Sequence, residues 1–237
     1  METSRPNPLT VLVIVAHADD IEFGNAGTLA RWIKEGAEVT YCIVTDNGSG
    51  SNDPTMTREK LVQIRRDEQL AAAEAIGVKE VIFLGYPDGI LEPSLALRRD
   101  LTRVIRQLKP YRVIAQDPTT FFVEDYYINH PDHRAAGEAA IYAVFPSAET
   151  RPIFPELLTD GYEPHHVTEL YLTLTLKPNC TEDITSTMED KIRALSCHKS
   201  QLGESDFKWV YEWATEAGKA AGYTYAEQYR VMRFERE

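Results

Sequence analysis

One apolar run, LTVLVIVAH at residues 9–17, constrains the fold of this chain more than any other feature. It is nearly all apolar and rich in valine, as expected of a strand that is covered on both faces at the centre of a parallel sheet. Four later apolar runs predict further strands, at residues 38–46, 80–86, 111–117 and 169–176.

Amphipathic stretches separate the predicted strands. They predict helices over residues 20–35, 57–76, 94–109, 132–144 and 183–202. The alternation of strands with helices predicts an α/β fold, with a Rossmann-like, doubly wound, mostly parallel sheet and helices on both faces.

The length of 237 residues predicts a single domain, 1–237, because α/β folds of this size commonly form one unit. Proline and turn residues predict surface loops over residues 146–168. Residues 203–237 are predicted to be a C-terminal extension, and their pattern does not indicate a role.

The charge, hydrophobicity and cysteine content of the chain limit the kinds of molecule that it is expected to bind. The formal net charge of -12 argues against binding to nucleic acid or to an anionic membrane, since both are polyanions. No apolar run reaches the roughly 18 residues of a membrane span, and the N-terminus lacks the pattern of a signal peptide. The three cysteines form no CxxC pair, which excludes a cysteine-built metal site and fits a reducing compartment. We therefore expect a cytoplasmic protein, and the sequence leaves open whether it forms a homo-oligomer.

Polar residues follow the predicted strands at their carboxyl ends. His17 follows the first strand, Asp46 the second and Asp88 the third, and the segment NHPDHR (129–134) lies about a dozen residues after the fourth. Ligands of open α/β sheets bind at this edge. The sequence therefore predicts one functional site there.

The segment HADD contains the first group of candidate ligands. His17 and Asp20 are three residues apart at a strand-to-helix turn, so both can face one centre, with Asp19 between them. Crowded carboxylates repel one another, which favours a bound cation, although an aspartate that caps the next helix is an equally good interpretation. Gly24 and Gly27 come only after this acidic cluster, so the phosphate-binding pattern of NAD or FAD proteins is not expected.

The segment NHPDHR contains the second group. Pro131 suits the first turn of a helix, which places His130 and His133 on one face. Taken alone, this pattern fits a capped helix start with two exposed histidines. Together with HADD, two histidines and one carboxylate with an open coordination position match a hydrolytic zinc site, and also a non-haem Fe(II) site.

Arg65 falls in the middle of the apolar face of the helix predicted over 57–76, where a buried cation needs an anion. Either Arg65 pairs with Glu68, three residues on, or it faces the substrate. In the helix predicted over 183–202, His198 is expected to be a structural histidine that is hydrogen-bonded across the core.

The tail contains several aromatic residues, among them Trp209, Trp213 and Tyr225. We expect these side chains to pack against other residues and not to form a ligand-binding box.

Six motifs occur in order along residues 16–201: AHADD, TDNGSG, RRDE, LGYPDG, HPDHR and ITSTMEDKIRALSCHKSQ. In combination they resemble the PIG-L or LmbE-like deacetylase family. The resemblance implies a Rossmann-like enzyme that uses zinc to hydrolyse the acetamide of a small N-acetylglucosamine-type substrate, releasing acetate and a free amine.

Carried over position by position, the resemblance makes His17, Asp20 and His133 the ligands of one Zn²⁺ per chain. It makes Asp19 the general base and His130 the group that stabilises or protonates the tetrahedral intermediate. Zinc lowers the pKa of a bound water toward roughly 7, which provides a nucleophile at neutral pH.

The resemblance also places Arg65 and Asp88 at the substrate site. One departure from the family pattern is Ala18, where the family usually has proline. We expect this change to loosen the turn without loss of a ligand.

Three other functions fit parts of the same pattern. One is an amidase that cleaves a thiol-sugar conjugate, and another is an Fe(II) oxygenase. The third is a binding module with a structural ion, although a structural zinc site is usually closed by four protein ligands and only three are identifiable here.

Overall fold

The computed structural model of the protein describes residues 6–234. Seven strands form the main sheet: β1 (Thr10–Val15), β2 (Glu38–Thr45), β3 (Glu80–Tyr86), β4 (Arg112–Gln116), β7 (Glu169–Thr173), β8 (Cys180–Asp183) and β9 (Ala226–Arg233). Their order is β3-β2-β1-β4-β7-β9-β8. The first five are parallel, and β9 runs antiparallel to both β7 and β8. The prediction of a mostly parallel α/β sheet is confirmed.

Helices flank the sheet: α1 (Asp20–Gly24), α2 (Ala26–Lys34), α3 (Arg58–Ile76), α4 (Leu95–Leu108), α5 (Pro131–Tyr142), α6 (Glu156–Thr159), α7 (Met188–Leu195), α8 (Lys199–Leu202) and α9 (Lys208–Lys219). A two-stranded hairpin, β5 (Phe122–Val123) and β6 (Tyr127–Ile128), precedes α5. Within residues 6–234, no helix combines the length and the apolar content needed to cross a bilayer.

Strand β1 is buried on both faces, as its apolar sequence predicts. Leu12 and Ile14 pack into a core with α4 and α5, whereas Val11, Val13 and Val15 pack into a second core with α2 and α3. Side chains alternate between the two faces of a strand, so this one segment fills both layers. The sheet therefore has helices on both faces.

Two of the predicted helices are interrupted. The helix predicted over 20–35 breaks at Asn25, whose φ of -141° is not helical, and forms α1 and α2. The stretch predicted over 183–202 contains the 3-10 turn Thr185–Thr187 and then α7 and α8. The apolar periodicity continues across both breaks because the same side of the chain stays buried, so periodicity alone does not reveal them.

The C-terminal segment contributes a strand to the main sheet. β9 lies between β7 and β8, and its buried Glu227 accepts hydrogen bonds from the N–H groups of Gly27 (3.1 Å) and Thr28 (2.9 Å) at the start of α2. Glu227 also pairs with buried Lys191 at 2.6 Å. A carboxylate is favoured at a helix N-terminus, so this strand uses a charged residue where an apolar one would be expected.

Candidate active site

The carboxyl ends of the parallel strands open into a cavity of about 800 Å³. β1 pairs with β2 on one side and β4 on the other, so the connections that leave these strands separate at this point and form a crevice. The cavity is lined by the predicted site residues His17, Asp19, Asp20, Arg65, Asp88, His130 and His133. The structure therefore brings the predicted site residues together at this edge of the sheet.

The three predicted metal ligands meet at Asp20. Its Oδ2 accepts a hydrogen bond from the backbone N–H of His17 (2.7 Å) and lies 3.5 Å from His17 Nδ1. Its Oδ1 lies 3.0 Å from His133 Nε2. The other ring nitrogen of His133, Nδ1, lies 3.0 Å from the side-chain oxygen of Asn129, which orients the ring.

Two further carboxylates contact the opposite edge of the His17 ring. His17 Nε2 lies 3.0 Å from Asp88 Oδ1 and 3.3 Å from Asp132 Oδ2. Asp132 is fully buried and also accepts from the N–H groups of Gly89 (2.7 Å) and Leu91 (3.1 Å). A carboxylate that orients a ligating histidine is a common arrangement around metals in proteins.

Sequence reasoning missed Asp132. It lies between the two histidines of NHPDHR, in the first turn of α5, where an acidic residue is common for reasons of helix polarity alone. Its position inside a motif already read as functional was the one available signal.

The carboxylates favour a positive charge at this centre. Burial lowers the pKa of His17, but hydrogen bonds to Asp132, Asp20 and Asp88 outweigh that effect and raise it to about 12. Burial also raises the pKa of Asp20, yet His133 and His17 hold it well below its usual value. Since the donor atoms are imidazole nitrogens and carboxylate oxygens, a divalent cation fits the same place.

Among residues 6–234, two groups of donor atoms are compact enough to hold such an ion. In each group the donor atoms lie within 4.8 Å of one another, and the groups are His17 with His130 and His133, and His17 with Asp88 and Asp132. Asp20 adds its two oxygens on the Nδ1 side of His17.

Asp19 has a left-handed backbone conformation, with φ of 85°. Its backbone N–H donates to Gln69 Oε1 (3.2 Å), and Arg65 donates to both Ala18 O (2.6 Å) and Asp19 Oδ2 (3.2 Å). The Asp19 side chain makes no capping hydrogen bond to α1, so the interpretation of this residue as a helix cap is wrong.

The structure also shows which carboxylate pairs with Arg65. Arg65 is buried and contacts Asp19, whereas Glu68 accepts from the backbone N–H and the hydroxyl of Ser200, each at 2.7 Å. The internal Arg65–Glu68 pair therefore does not form.

Asp19 is suited to proton transfer near neutral pH. Burial raises its pKa to about 6, although the Arg65 guanidinium opposes this change. A carboxyl group with a pKa close to the working pH can both accept and return a proton.

A buried network of polar side chains is linked to Asp19 through Gln69. Gln69 donates to Glu22 (2.9 Å), and Glu22 lies 3.1 Å from His198 Nε2. The structure thus shows the predicted hydrogen bond of His198 across the core. Glu22 and Gln69 were missed, since their partners lie far away along the chain.

His130 lies at the N-cap of α5, where its Nδ1 accepts a hydrogen bond from the backbone N–H of Asp132 (3.2 Å). Burial, together with the neighbouring His17 and His133, lowers the pKa of His130 and favours the neutral ring. A neutral imidazole that accepts at Nδ1 carries its proton on Nε2. His130 is thus a hydrogen-bond donor on the wall of the cavity.

The turn at Ala18 is held by a hydrogen bond. The backbone N–H of Ala18 donates to Asn47 Oδ1 at 2.6 Å, and Ala18 is fully buried. Proline has no N–H and could not make this bond. This chain therefore holds the turn with a hydrogen bond that a proline at position 18 could not make.

The two tail tryptophans pack on aromatic neighbours, as expected, but they also line the cavity. Trp209 is 37% exposed and Trp213 is 58% exposed, whereas Trp32 in the core is 4% exposed. Tyr225 does pack, at 5.7 Å between ring centroids from Tyr211.

The comparison with known proteins agrees with this geometry. Residues 12–144, more than half of the chain, match the PIG-L family, described as GlcNAc-PI de-N-acetylase. The chain belongs to this family, as its motifs predict, and it is a hydrolase that acts on linear amide bonds.

Similar proteins cover nearly the whole chain. The diacetylchitobiose deacetylase of Thermococcus kodakarensis is 35% identical over 227 residues, which are 94% of this chain and 82% of the relative. A Bacillus anthracis protein, the probable N-acetyl-alpha-D-glucosaminyl L-malate deacetylase 2, is 29% identical over 213 residues, or 87% of this chain and 88% of the relative. A solved structure, the N,N'-diacetylchitobiose deacetylase from Pyrococcus horikoshii with its inhibitor MPG, matches with a TM-score of 0.88 at 33% identity. That match covers 98% of this chain and 88% of the other.

The geometry of His130 leads to a first prediction. We expect His130→Ala to retain bound metal and to lose roughly 10²–10³ in kcat, the usual cost of removing one hydrogen-bond donor to a developing oxyanion. Metal content, kcat and thermal unfolding should be measured together.

His130→Asn is the matched control, because asparagine is a good N-cap residue but places no imidazole in the cavity. We expect it to recover the thermal stability and not the rate. Recovery of kcat in His130→Asn would show that the histidine serves only as a helix cap, and loss of metal in His130→Ala would make it a ligand.

Proposed function

We propose that this chain is a zinc-dependent deacetylase that hydrolyses the acetamide of a small N-acetylglucosamine-type substrate, releasing acetate and a free amine. The observation that carries the proposal is the position of Asp19. It adjoins Asp20, lines the cavity, and is held in place by Arg65 and Gln69 without serving as a helix cap.

We assign the metal to His17, Asp20 and His133. When bound, such an ion lowers the pKa of a water molecule and polarises the substrate carbonyl. Asp88 and Asp132 contact the far nitrogen of His17 and orient its ring.

In the proposed reaction Asp19 removes a proton from the water that attacks the acetamide carbon. His130 donates its Nε2–H hydrogen bond to the carbonyl oxygen as negative charge develops there. Asp19 then passes the proton to the nitrogen of the leaving amine, and the C–N bond breaks. Arg65 fixes the Asp19 carboxylate through its 3.2 Å contact with Oδ2, and both Arg65 and Asp88 line the substrate cavity.

The substrate class is proposed from the relatives. Proteins similar over most of the chain are named for the deacetylation of diacetylchitobiose and of N-acetylglucosaminyl malate. Both substrates contain an N-acetylglucosamine unit, and this common part is what we assign to this chain.

The test combines metal analysis with an assay of the products. The purified protein should contain about one equivalent of metal. It should release acetate and free amine in equal amounts from N-acetylglucosamine and from diacetylchitobiose. Chelation should abolish the reaction, and Zn²⁺ should restore it more fully than Fe²⁺.

His133→Ala, purified in the same way, controls for contaminating hydrolases. If the wild-type protein contained stoichiometric metal but hydrolysed no N-acetylated sugar, that result would favour a structural ion and contradict the proposal. Release of a larger acyl group from a thiol-sugar conjugate, with no acetate from acetamides, would favour the amidase alternative.

A further inference from the structure

One wall of the cavity is aromatic, and two of its three side chains come from the C-terminal segment. Trp209 packs on Phe23 with ring centroids 5.2 Å apart, and Trp213 stands nearly perpendicular to Trp209 at 4.7 Å and 83°. We call Phe23, Trp209 and Trp213 the aromatic wall. Large apolar side chains that remain exposed in a concave site usually mark a surface that a ligand covers.

The aromatic wall begins close to the proposed metal ligands. Asp20 is the first residue of α1 and Phe23 lies three residues later, a rise of roughly 4.5 Å along a helix. Since Asp20 and the aromatic wall line the same cavity, the wall is within reach of the next substituent on a sugar ring whose acetamide lies at Asp20. The cavity, at about 800 Å³, lies in the upper part of the range of roughly 300–1,000 Å³ typical of small-molecule sites, which leaves room for more than one ring.

The charges of the cavity limit the nature of that substituent. Among the described residues that line the cavity, Arg65 is the only lysine or arginine, and it is already paired with Asp19. A carboxylate or phosphate on the substituent would find no free guanidinium or ammonium group for recognition.

Several other residues that line the cavity are apolar or neutral. They include Leu174 and Leu176, together with Thr175 and Gln201, which can bond to hydroxyl groups. A pyranose has the same mixed character, because its C–H face packs on an aromatic face while its hydroxyls point outward.

Resting on the proposed deacetylase function, we infer that the aromatic wall binds an uncharged second sugar ring. The substrate class is then a neutral amino-sugar oligosaccharide of at least two rings, and Trp213 is a residue that determines this specificity.

The experiment compares kcat/KM of the metal-loaded enzyme for N,N'-diacetylchitobiose, N-acetylglucosamine, N-acetylglucosamine 1-phosphate and octyl N-acetylglucosaminide. We expect the wild type to prefer the disaccharide to the other three. In Trp213→Ala the ratio of disaccharide to monosaccharide should fall by roughly fivefold to tenfold, which is the effect of losing one aromatic contact. Trp213→Phe should restore part of the ratio.

Tyr223→Ala is the matched control, because Tyr223 is an exposed aromatic that follows α9 and does not line the cavity. Its ratio should equal that of the wild type. An unchanged ratio in Trp213→Ala, or a wild type that prefers the phosphate, would overturn the inference. A loss confined to the octyl glycoside would also overturn it, since the wall would then bind an alkyl chain.

A binding measurement separates this inference from the proposed function. Diacetylchitobiose should quench the tryptophan fluorescence of the wild type, and Trp213→Ala should bind it several-fold more weakly than Tyr223→Ala does. This binding result would hold even if no acetamide were hydrolysed. Hydrolysis without a Trp213-dependent change in binding would refute the role of the aromatic wall and leave the proposed deacetylase function intact.

Discussion

Asp19→Asn is expected to retain its metal and to lose roughly 10²–10⁴ in kcat, the range expected when a general base is removed. Asparagine has almost the same size as aspartate but cannot accept the proton. It also tolerates the left-handed conformation that Asp19 adopts at φ 85°, so the substitution adds little backbone strain. The loss should therefore be chemical and not structural.

The pH dependence gives an independent measurement of the same prediction. The base acts only when it is ionised, so wild-type kcat/KM should fall as the pH drops through the pKa of Asp19. Asp19→Asn has no carboxyl group at this position, and the acidic limb of its profile should flatten.

Asp160→Asn, at an exposed position after α6, provides the matched aspartate control and should behave as wild type. Turnover of Asp19→Asn at the wild-type rate with metal bound would place the base elsewhere. Loss of metal in Asp19→Asn would make Asp19 a ligand and require a new assignment of the whole HADD segment.

His133→Ala is expected to lose both metal and activity. The side chain lies 3.0 Å from Asp20 Oδ1 and completes the proposed set of three ligands. Loss of an outer hydrogen bond to a ligand costs roughly 10–100-fold in metal affinity or activity, and loss of a ligand itself should cost more. Elemental analysis after dialysis and the acetate assay would measure both effects.

His166→Ala controls for the loss of a histidine outside the site, because His166 contacts Glu149 and the backbone oxygen of Phe234. It should keep metal and activity. Stoichiometric zinc in His133→Ala would remove His133 from the ligand set and favour the donor group formed by His17, Asp88 and Asp132.

Local patterns were sufficient to place the candidate residues at one edge of the predicted sheet. The alternation of apolar and amphipathic stretches predicts β1–β4 and β7, and α3 and α4 begin and end within one residue of their predicted bounds. The order of the motifs places HADD and HPDHR at the carboxyl edge of the sheet. Both inferences depend on spacing along a short stretch of chain, which folding does not alter.

The hydrogen bonds that hold the site residues in place depend instead on residues that are distant in the sequence. Asp132 accepts from Gly89, 43 residues away, and Glu22 meets His198 across 176 residues. In the sequence, the presence of each of these polar residues is explained by its local position, such as the first turn of a helix or a solvated helix face. Only the packing of α5, α1 and α8 brings them to the ligands.

The amino-acid sequence by itself determined the α/β class and the edge of the sheet where the candidate site residues gather, because strand periodicity and motif spacing are local properties. The tertiary structure decided which carboxylates orient His17, that Arg65 pairs with Asp19, that β9 joins the main sheet, and that Trp209 and Trp213 face the cavity. These outcomes depend on which distant surfaces are buried against each other, and burial is a property of the folded chain as a whole.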